Sequence, residues 1–229
     1  MTYRPTVLLF DIDGTLVDAG GMGRVAMEEA FFEVCGRRDV CSFTFAGQTD
    51  RIIAEQGLKN AGMDPTPERI QRLLSHYLAQ IQAEIDTNNR ARLYPGTEAL
   101  LARLCQYDHL ALGLGTGNME AGAFLKLRAA GLGSYFSFGG YGSDHEDRAA
   151  LIRAGFQRGT TQLGCEESSC RRVVIGDTRL DVAAAKANNA ETLGVLTGGD
   201  TREELVSAGA ECIVETLEDP RAATFLVGA

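Results

Sequence analysis

The run Thr6-Val7-Leu8-Leu9-Phe10 is apolar and β-prone throughout, and it stops abruptly at Asp11-Ile12-Asp13-Gly14-Thr15. A strand with no polar alternation is buried on both faces, which requires helices on either side of a mostly parallel sheet. Leu110 to Leu114, Val173-Val174-Ile175 and Thr192 to Leu196 have the same shape, and each ends in small and polar residues. Helix-period segments lie between or after them: Ala121 to Ala130, Arg148 to Gln157, Leu180 to Asn188 and Arg202 to Ala208. Alternating strands and helices predict an α/β fold, a Rossmann-like parallel sheet flanked by helices. In such a sheet the loops at the carboxyl ends of the strands converge on one crevice, so Asp11, Thr116 and Asp177 are expected to meet despite their distance in sequence.

The segment 19–94 interrupts this alternation with helical patterns and no convincing buried strand. A chain of 229 residues suits one α/β core carrying a smaller insertion. The expected division is a core of 1–18 and 95–229 with an inserted α-helical cap subdomain at 19–94. The clearest cap helix follows Pro67 and places Ile70, Leu73, Leu74, Tyr77, Leu78, Ile81 and Ile85 on one stripe. That stripe is expected to pack a small bundle rather than touch ligand. Gly20 to Gly23 reads as a hinge. Tyr94-Pro95-Gly96 marks the return to the core, with Thr97 expected to cap the helix that begins near Glu98.

A net charge of −9 argues against non-specific binding to nucleic acid or anionic membranes, both of which reward clustered Lys and Arg. No stretch reaches the ~18 apolar residues of a membrane span. The opening Met1-Thr2-Tyr3-Arg4-Pro5 leads into a strand rather than a secretory apolar region, so a cytoplasmic location is expected. The 6 cysteines are scattered without zinc-ligand spacing and read as reduced thiols, with a facultative Cys165–Cys170 disulfide as the alternative. His76, His109 and His145 show no partner pattern that suggests a ligand or base.

Asp11 and Asp13 put two carboxylates at the end of a buried strand, before a glycine that permits a tight turn. Together they are placed to share a divalent cation or to divide labour as nucleophile and acid; an Asx-turn with two solvated carboxylates is the alternative for an isolated pair. Gly115-Thr116-Gly117-Asn118, between a strand and a helix, offers a hydroxyl and free N–H groups as an anion cradle. In Gly176-Asp177-Thr178-Arg179-Leu180-Asp181 two more acids follow a buried strand. Helix capping accounts for Asp181 but not for Asp177.

The order of these elements resembles the haloacid dehalogenase superfamily over nearly the whole chain. DIDGTLVD at Asp11 to Asp18 is similar to its first motif, LGTGN at Leu114 to Asn118 to its second, and GDTRLD at Gly176 to Asp181 to its fourth. Within the superfamily the chain is most similar to phosphoglycolate phosphatases and their relatives, through DGTLVD, YPGTEALLARL, AAAKANNAETLGVLTGG and ELVSAGAECIVETLEDP. The resemblance implies a phosphatase in which Asp11 is the nucleophile and Asp13 the general acid and base. It also implies Mg2+ held by Asp11, the Asp13 backbone carbonyl and Asp177, with Asp181 in support. Thr116, Gly117 and Asn118 would hold the phosphoryl group, and the ligand would be a small phosphorylated metabolite.

One part of the pattern is absent. The third motif normally supplies a lysine about two dozen residues before the fourth, and no Lys lies between Lys126 and Lys186. Arg148 stands at the loop-to-helix junction where it is expected and is the assigned substitute, because a guanidinium also binds phosphoryl oxygens. Pairing with Asp144 or Glu146 at the surface is its alternative role, and Arg153, Arg158 and Lys186 are the other cations available. In the cap, Ala46 to Arg51 resembles a specificity loop that opens the first cap helix, with Gln48, Thr49 and Arg51 as candidate contacts and ordinary helix capping by Thr49 or Asp50 as the competing reading. Three other functions remain open. A mutase of the β-phosphoglucomutase kind is disfavoured by the lack of Lys between Lys59 and Lys126, a dehalogenase by Asp13, and an idle scaffold by the intact acids.

Overall fold

A computed structural model describes residues 3–228; Met1 and Thr2, the start of the expected lead-in to the first strand, and Ala229 lie outside the described residues. In chain order the elements are β1 (Thr6–Phe10), β2 (Val17–Asp18), α1 (Met22–Cys35), α2 (Asp50–Asn60), α3 (Pro67–Asn88), β3 (Arg92–Leu93) and α4 (Thr97–Leu104). There follow β4 (Leu110–Thr116), α5 (Glu120–Ala129), β5 (Gly139–Tyr141), α6 (Arg148–Leu163), β6 (Arg171–Gly176) and α7 (Arg179–Ala187). The chain closes with β7 (Glu191–Val195), α8 (Arg202–Ala208), β8 (Cys212–Val214) and α9 (Pro220–Val227).

β1 is central in a parallel sheet of order β5-β4-β1-β6-β7-β8. Its side chains alternate between two cores. Leu8 and Phe10 face α4, α5 and α9 through Leu100, Leu101, Leu104, Leu127 and Leu226, whereas Val7 and Leu9 face α6 and α7 through Leu151, Ile152, Phe156 and Ala185. This two-sided burial is the physical content of the unbroken apolar run. The chain winds outward from β1 to β4 and β5 on one side, then crosses to β6, β7 and β8 on the other, so the crevice at the carboxyl end of β1 is a topological switch point.

Between β2 and β3, which pair as a short antiparallel ribbon, α1, α2 and α3 share a core of their own built on Ala26, Met27, Phe31, Ile53, Leu58, Leu73, Tyr77 and Ile81. α3 starts as expected, with Thr66 accepting from Arg69 N–H and Pro67 in the first turn. Three expectations are corrected. α1 precedes the loop at Ala46 to Arg51, so the helix beginning at Asp50 is the second cap helix, and Gly23 belongs to α1 rather than to a hinge. Thr97 does not cap α4; the N-cap is Gly96, and the Thr97 hydroxyl donates to Leu16 O at 3.3 Å. All 6 cysteines are free thiols.

β5 and β8 carry no long apolar run. In β5, Gly139 and Gly140 lie flush under α6, and a Cβ on Gly140 would overlap the Leu151 carbonyl. The absent side chains are what allow the helix to approach the strand so closely. Among the described residues no helix is long and apolar enough to cross a membrane.

Candidate active site

Asp11 sits one residue beyond β1, still in the ladder through its N–H to Ile175 O at 2.9 Å, and its side chain turns into the crevice. Gly14, two residues further than Ile12, adopts φ 81, and a Cβ there would overlap the Asp177 carboxylate, so this turn needs glycine. The tight turn lets β1 and β6 bring their acids together. Oxygens of Asp11, Asp177 and Asp181 lie within 4.8 Å of one another, all buried.

Arg148 opens α6 and is the counter-charge to this cluster. Its Nη2 lies 2.9 Å from Asp11 Oδ2 and 2.6 Å from Asp181 Oδ1, Nε donates to the same Asp181 oxygen at 3.0 Å, and Nη1 donates to Gly47 O of the cap at 3.1 Å. The surface partners weighed for it are taken by others: Asp144 pairs with Arg158 and Glu146 with Arg51. Lys186 is also engaged elsewhere, on Ala208 O.

Asp181 is saturated. Its Oδ1 holds Arg148, while Oδ2 accepts from Thr178 N–H at 3.1 Å and Thr178 Oγ at 2.7 Å, closing a capping box at the start of α7. Asp177 accepts from Thr15 Oγ at 3.2 Å and from Gly199 N–H at 2.6 Å. Burial pushes the Asp177 carboxyl up to about 8, reinforced by Asp181 and Asp11 and opposed by Gly199 N–H and Arg148. Burial likewise pushes Asp11 up to about 6, against the pull of Arg148. One guanidinium therefore leaves the cluster short of positive charge, the condition in which a hard cation with oxygen ligands fits.

The loop after β4 supplies the opposite wall. Thr116 Oγ accepts from Asn118 N–H at 3.3 Å and from Asn118 Nδ2 at 2.8 Å, and its own proton has no acceptor among the described residues. The Asn118 side chain is spent on Thr116, on Asp13 Oδ2 at 2.9 Å and on Lys126. Gly117 lies directly under the cap, where a Cβ would overlap Gln48 O.

Lys126, not anticipated from the sequence, completes the site. It projects from α5, its Nζ is buried, and it donates to Asp13 Oδ2 at 2.5 Å and Asn118 Oδ1 at 2.7 Å. Asp13 itself is far less buried, with its side chain 43% exposed. The available signal was position: Lys126 shares the buried face of α5 with Gly122 and Ala123, and a lysine on a buried stripe requires a partner.

These groups line a cavity of about 300 Å³ between core and cap. Gln48 lines it, but its amide donates back to Thr44 O. Thr49 and Arg51 do not line it: Thr49 caps α2 and donates to Glu146 O at 3.2 Å, and Arg51 pairs with Glu146 at 2.9 Å. Both therefore fasten the cap to the core. Asp50 and Tyr77, from α2 and α3, do line the cavity, so the α3 stripe reaches the ligand space after all.

With this geometry in hand, the family follows. Residues 5–189 match the model of the haloacid dehalogenase-like hydrolases, and the chain belongs to that family. Among proteins similar to it, a phosphoglycolate phosphatase of Synechococcus elongatus is 28% identical across 93% of both chains. One from Yersinia pestis is 26% identical across 92% of this chain and 89% of the relative. In fold it is similar to a predicted phosphoglycolate phosphatase from Haemophilus somnus (TM-score 0.72, 19% identity, 98% and 99% of the two chains). CbbY from Rhodobacter sphaeroides in complex with phosphate is similar too (TM-score 0.72, 18% identity, 95% and 96%).

Lys126→Met keeps the buried stem and removes the charge that fixes Asp13. A positioned acid or base contributes ~10²–10⁴-fold, so kcat is expected to fall by about 10²-fold in steady-state assays with KM little changed; an unaltered kcat would show that Asp13 needs no such partner.

Proposed function

We propose that this phosphatase is Mg2+-dependent and hydrolyses a small phosphate monoester, phosphoglycolate-like or a sugar phosphate, through an aspartyl-phosphate on Asp11. The observation that carries the reading is the buried Asp11 carboxylate, set against Arg148 and beside Asp177 at the strand end, with the Thr116 hydroxyl free to donate across the cavity.

An Asp11 oxygen attacks phosphorus, forming an O–P bond as the ester P–O bond breaks, and the proton of Asp13 passes to the leaving oxygen. Water then attacks the aspartyl-phosphate, gives its proton to Asp13 and releases phosphate, restoring the Asp11 carboxylate. Lys126 and Asn118 both hold Asp13 Oδ2, which leaves its other oxygen to face the reacting groups. Thr116 and the one Arg148 N–H not taken by Asp11, Asp181 or Gly47, on Nη1, donate to phosphoryl oxygens, offsetting the repulsion between a carboxylate and a phosphate dianion. Asp11, Asp177 and the Asp13 backbone carbonyl would hold Mg2+, whose chemistry when bound is charge neutralisation on the phosphoryl oxygens. Asp181, with no oxygen to spare, supports it by holding Arg148. The cap excludes water from the first step. Asp13 and the free donors in the cavity support hydrolysis over carbon–halogen cleavage or an idle scaffold.

The direct test is hydrolysis of p-nitrophenyl phosphate. Activity is expected to require Mg2+ and to vanish in Asp11→Asn; activity surviving either change would contradict the reading.

The acids also make a prediction about stability. A carboxyl whose folded pKa is raised binds more protons folded than unfolded, so it removes stability as pH rises from the unfolded value through the folded one. For Asp177, raised from 3.8 to about 8, the metal-free protein is expected to lose melting temperature steadily across that interval. Mg2+ should restore more at the alkaline end, as read by differential scanning calorimetry; a Mg2+ shift independent of pH would place the ion elsewhere.

A further inference from the structure

Away from the phosphoryl end, the cavity is walled by the cap, and two polar groups there have an acceptor site to spare. Asp50 opens α2, and the core fixes it twice: its N–H donates to Gly117 O at 2.9 Å, and its Oδ2 accepts from Met119 N–H at 2.8 Å. The residue is only 6% exposed, lines the cavity, and its Oδ1 receives no hydrogen bond from any described residue. Tyr77 as a residue is buried, it lines the cavity, and its hydroxyl makes no hydrogen bond among the described residues. Gly23 of α1 lies against both walls, since a Cβ on it would stand in ordinary contact with Lys126 Nζ and the Tyr77 hydroxyl, at 3.5 Å and 3.8 Å.

The cations that line the cavity are already engaged. Arg148 is held at the phosphoryl end by Asp11 and Asp181, and Lys126 is held by Asp13 and Asn118; the Lys126 charge also acts on Asp50, without a direct ion pair, and so is shared between two carboxylates already present. Arg24 spends its guanidinium on the carbonyls of Cys41 at 2.8 Å and Phe43 at 2.9 Å, stacked 4.0 Å over the Phe45 ring. A carboxylate oxygen that opens on a narrow, poorly hydrated cavity gains from a ligand that brings it an O–H or N–H. A ligand that brings a second anion meets like charge in a site where water screens poorly.

We propose that Asp50 is the specificity-determining residue of this site, selecting phosphate monoesters whose leaving group carries hydroxyl or amino donors and rejecting those that carry a carboxylate. The inference rests on the phosphatase reading for its substrate and on the cap geometry for its sign. Asp50 Oδ1 and the Tyr77 hydroxyl receive the donors of the leaving group while its phosphoryl end lies on Arg148 and Thr116. Phosphoglycolate, whose leaving group carries a carboxylate, is then a poor ligand, so of the two kinds of substrate proposed above the hydroxyl-rich sugar phosphate is the one selected.

The test separates binding from turnover. Glycerol 1-phosphate, phosphoethanolamine and phosphoglycolate are titrated calorimetrically, with Mg2+, into Asp11→Asn protein carrying either Asp50 or Asp50→Asn; asparagine keeps the acceptor for Met119 N–H and removes the charge. With Asp50 present, the first two ligands are expected to bind at least ~10-fold more tightly than phosphoglycolate, since like-charge juxtaposition strongly disfavours the wrong partner. Asp50→Asn should narrow the gap, chiefly by tightening phosphoglycolate. Phosphoglycolate binding as tightly as the other two in the Asp50 protein, or a gap that Asp50→Asn leaves unchanged, overturns the proposal. The order of ligands in the Asp50 protein decides the matter even if the double variant does not fold. Wild-type turnover of p-nitrophenyl phosphate is measured alongside: its absence would sink the phosphatase reading, whereas the binding order bears on Asp50 alone.

Discussion

The ion pairs that Arg148 makes with Asp11 and Asp181 are the interaction on which the rest of the site depends. Three carboxylates are drawn out of water at the end of two adjacent strands, and one guanidinium stands among them. Removing one partner of a buried ion pair generally costs ~3–5 kcal/mol, because the remaining charge is left without compensation. The fork geometry matters as much as the charge. A guanidinium reaches Asp11, Asp181 and the Gly47 carbonyl of the cap in one rigid plane, so the orientation of Asp11 and the seating of the cap loop share a single side chain.

From this pair outward, each layer of the fold has a stated task. The two-sided core around β1 fixes where Asp11 emerges. The glycine turn at Gly14 lets Asp177 close in, and the capping box at Thr178 and Asp181 sets the acid that grips Arg148. On the opposite wall, Asn118 and Lys126 hold Asp13 by one oxygen. The cap is fastened by Thr49, Asp50 and Arg51, and the same short loop carries Asp50, which lines the cavity and keeps one oxygen unpartnered among the described residues.

Much of this was legible in the residues alone. β1, β4, β6 and β7 announce themselves because strands buried on both faces must be apolar throughout, and the acids at their ends stand out against that background. β5 was silent because close helix packing demands Gly139 and Gly140, which carry no side chain to signal burial. α1 was passed over because its glycine N-cap offers no capping side chain and Gly20 to Gly23 reads as loop. Lys126 was missed, and Asp50 was read only as part of the cap loop or as a helix cap, for a shared reason. Each functions by facing a partner distant in sequence, Asp13 for one and the cavity and Met119 for the other, and spacing cannot show which charged residues face inward. Arg148 was found only because the resemblance marked the place where a cation was required.

The proposed chemistry converges on covalent phosphorylation of Asp11, held by Arg148 at the end of β1. The most direct measurement is acid quench during turnover of p-nitrophenyl phosphate with Mg2+, followed by peptide mapping by mass spectrometry. A phosphoryl adduct on Asp11, absent from Asp11→Asn, is the predicted result. Turnover that leaves Asp11 unmodified while another residue carries the phosphoryl group would contradict it.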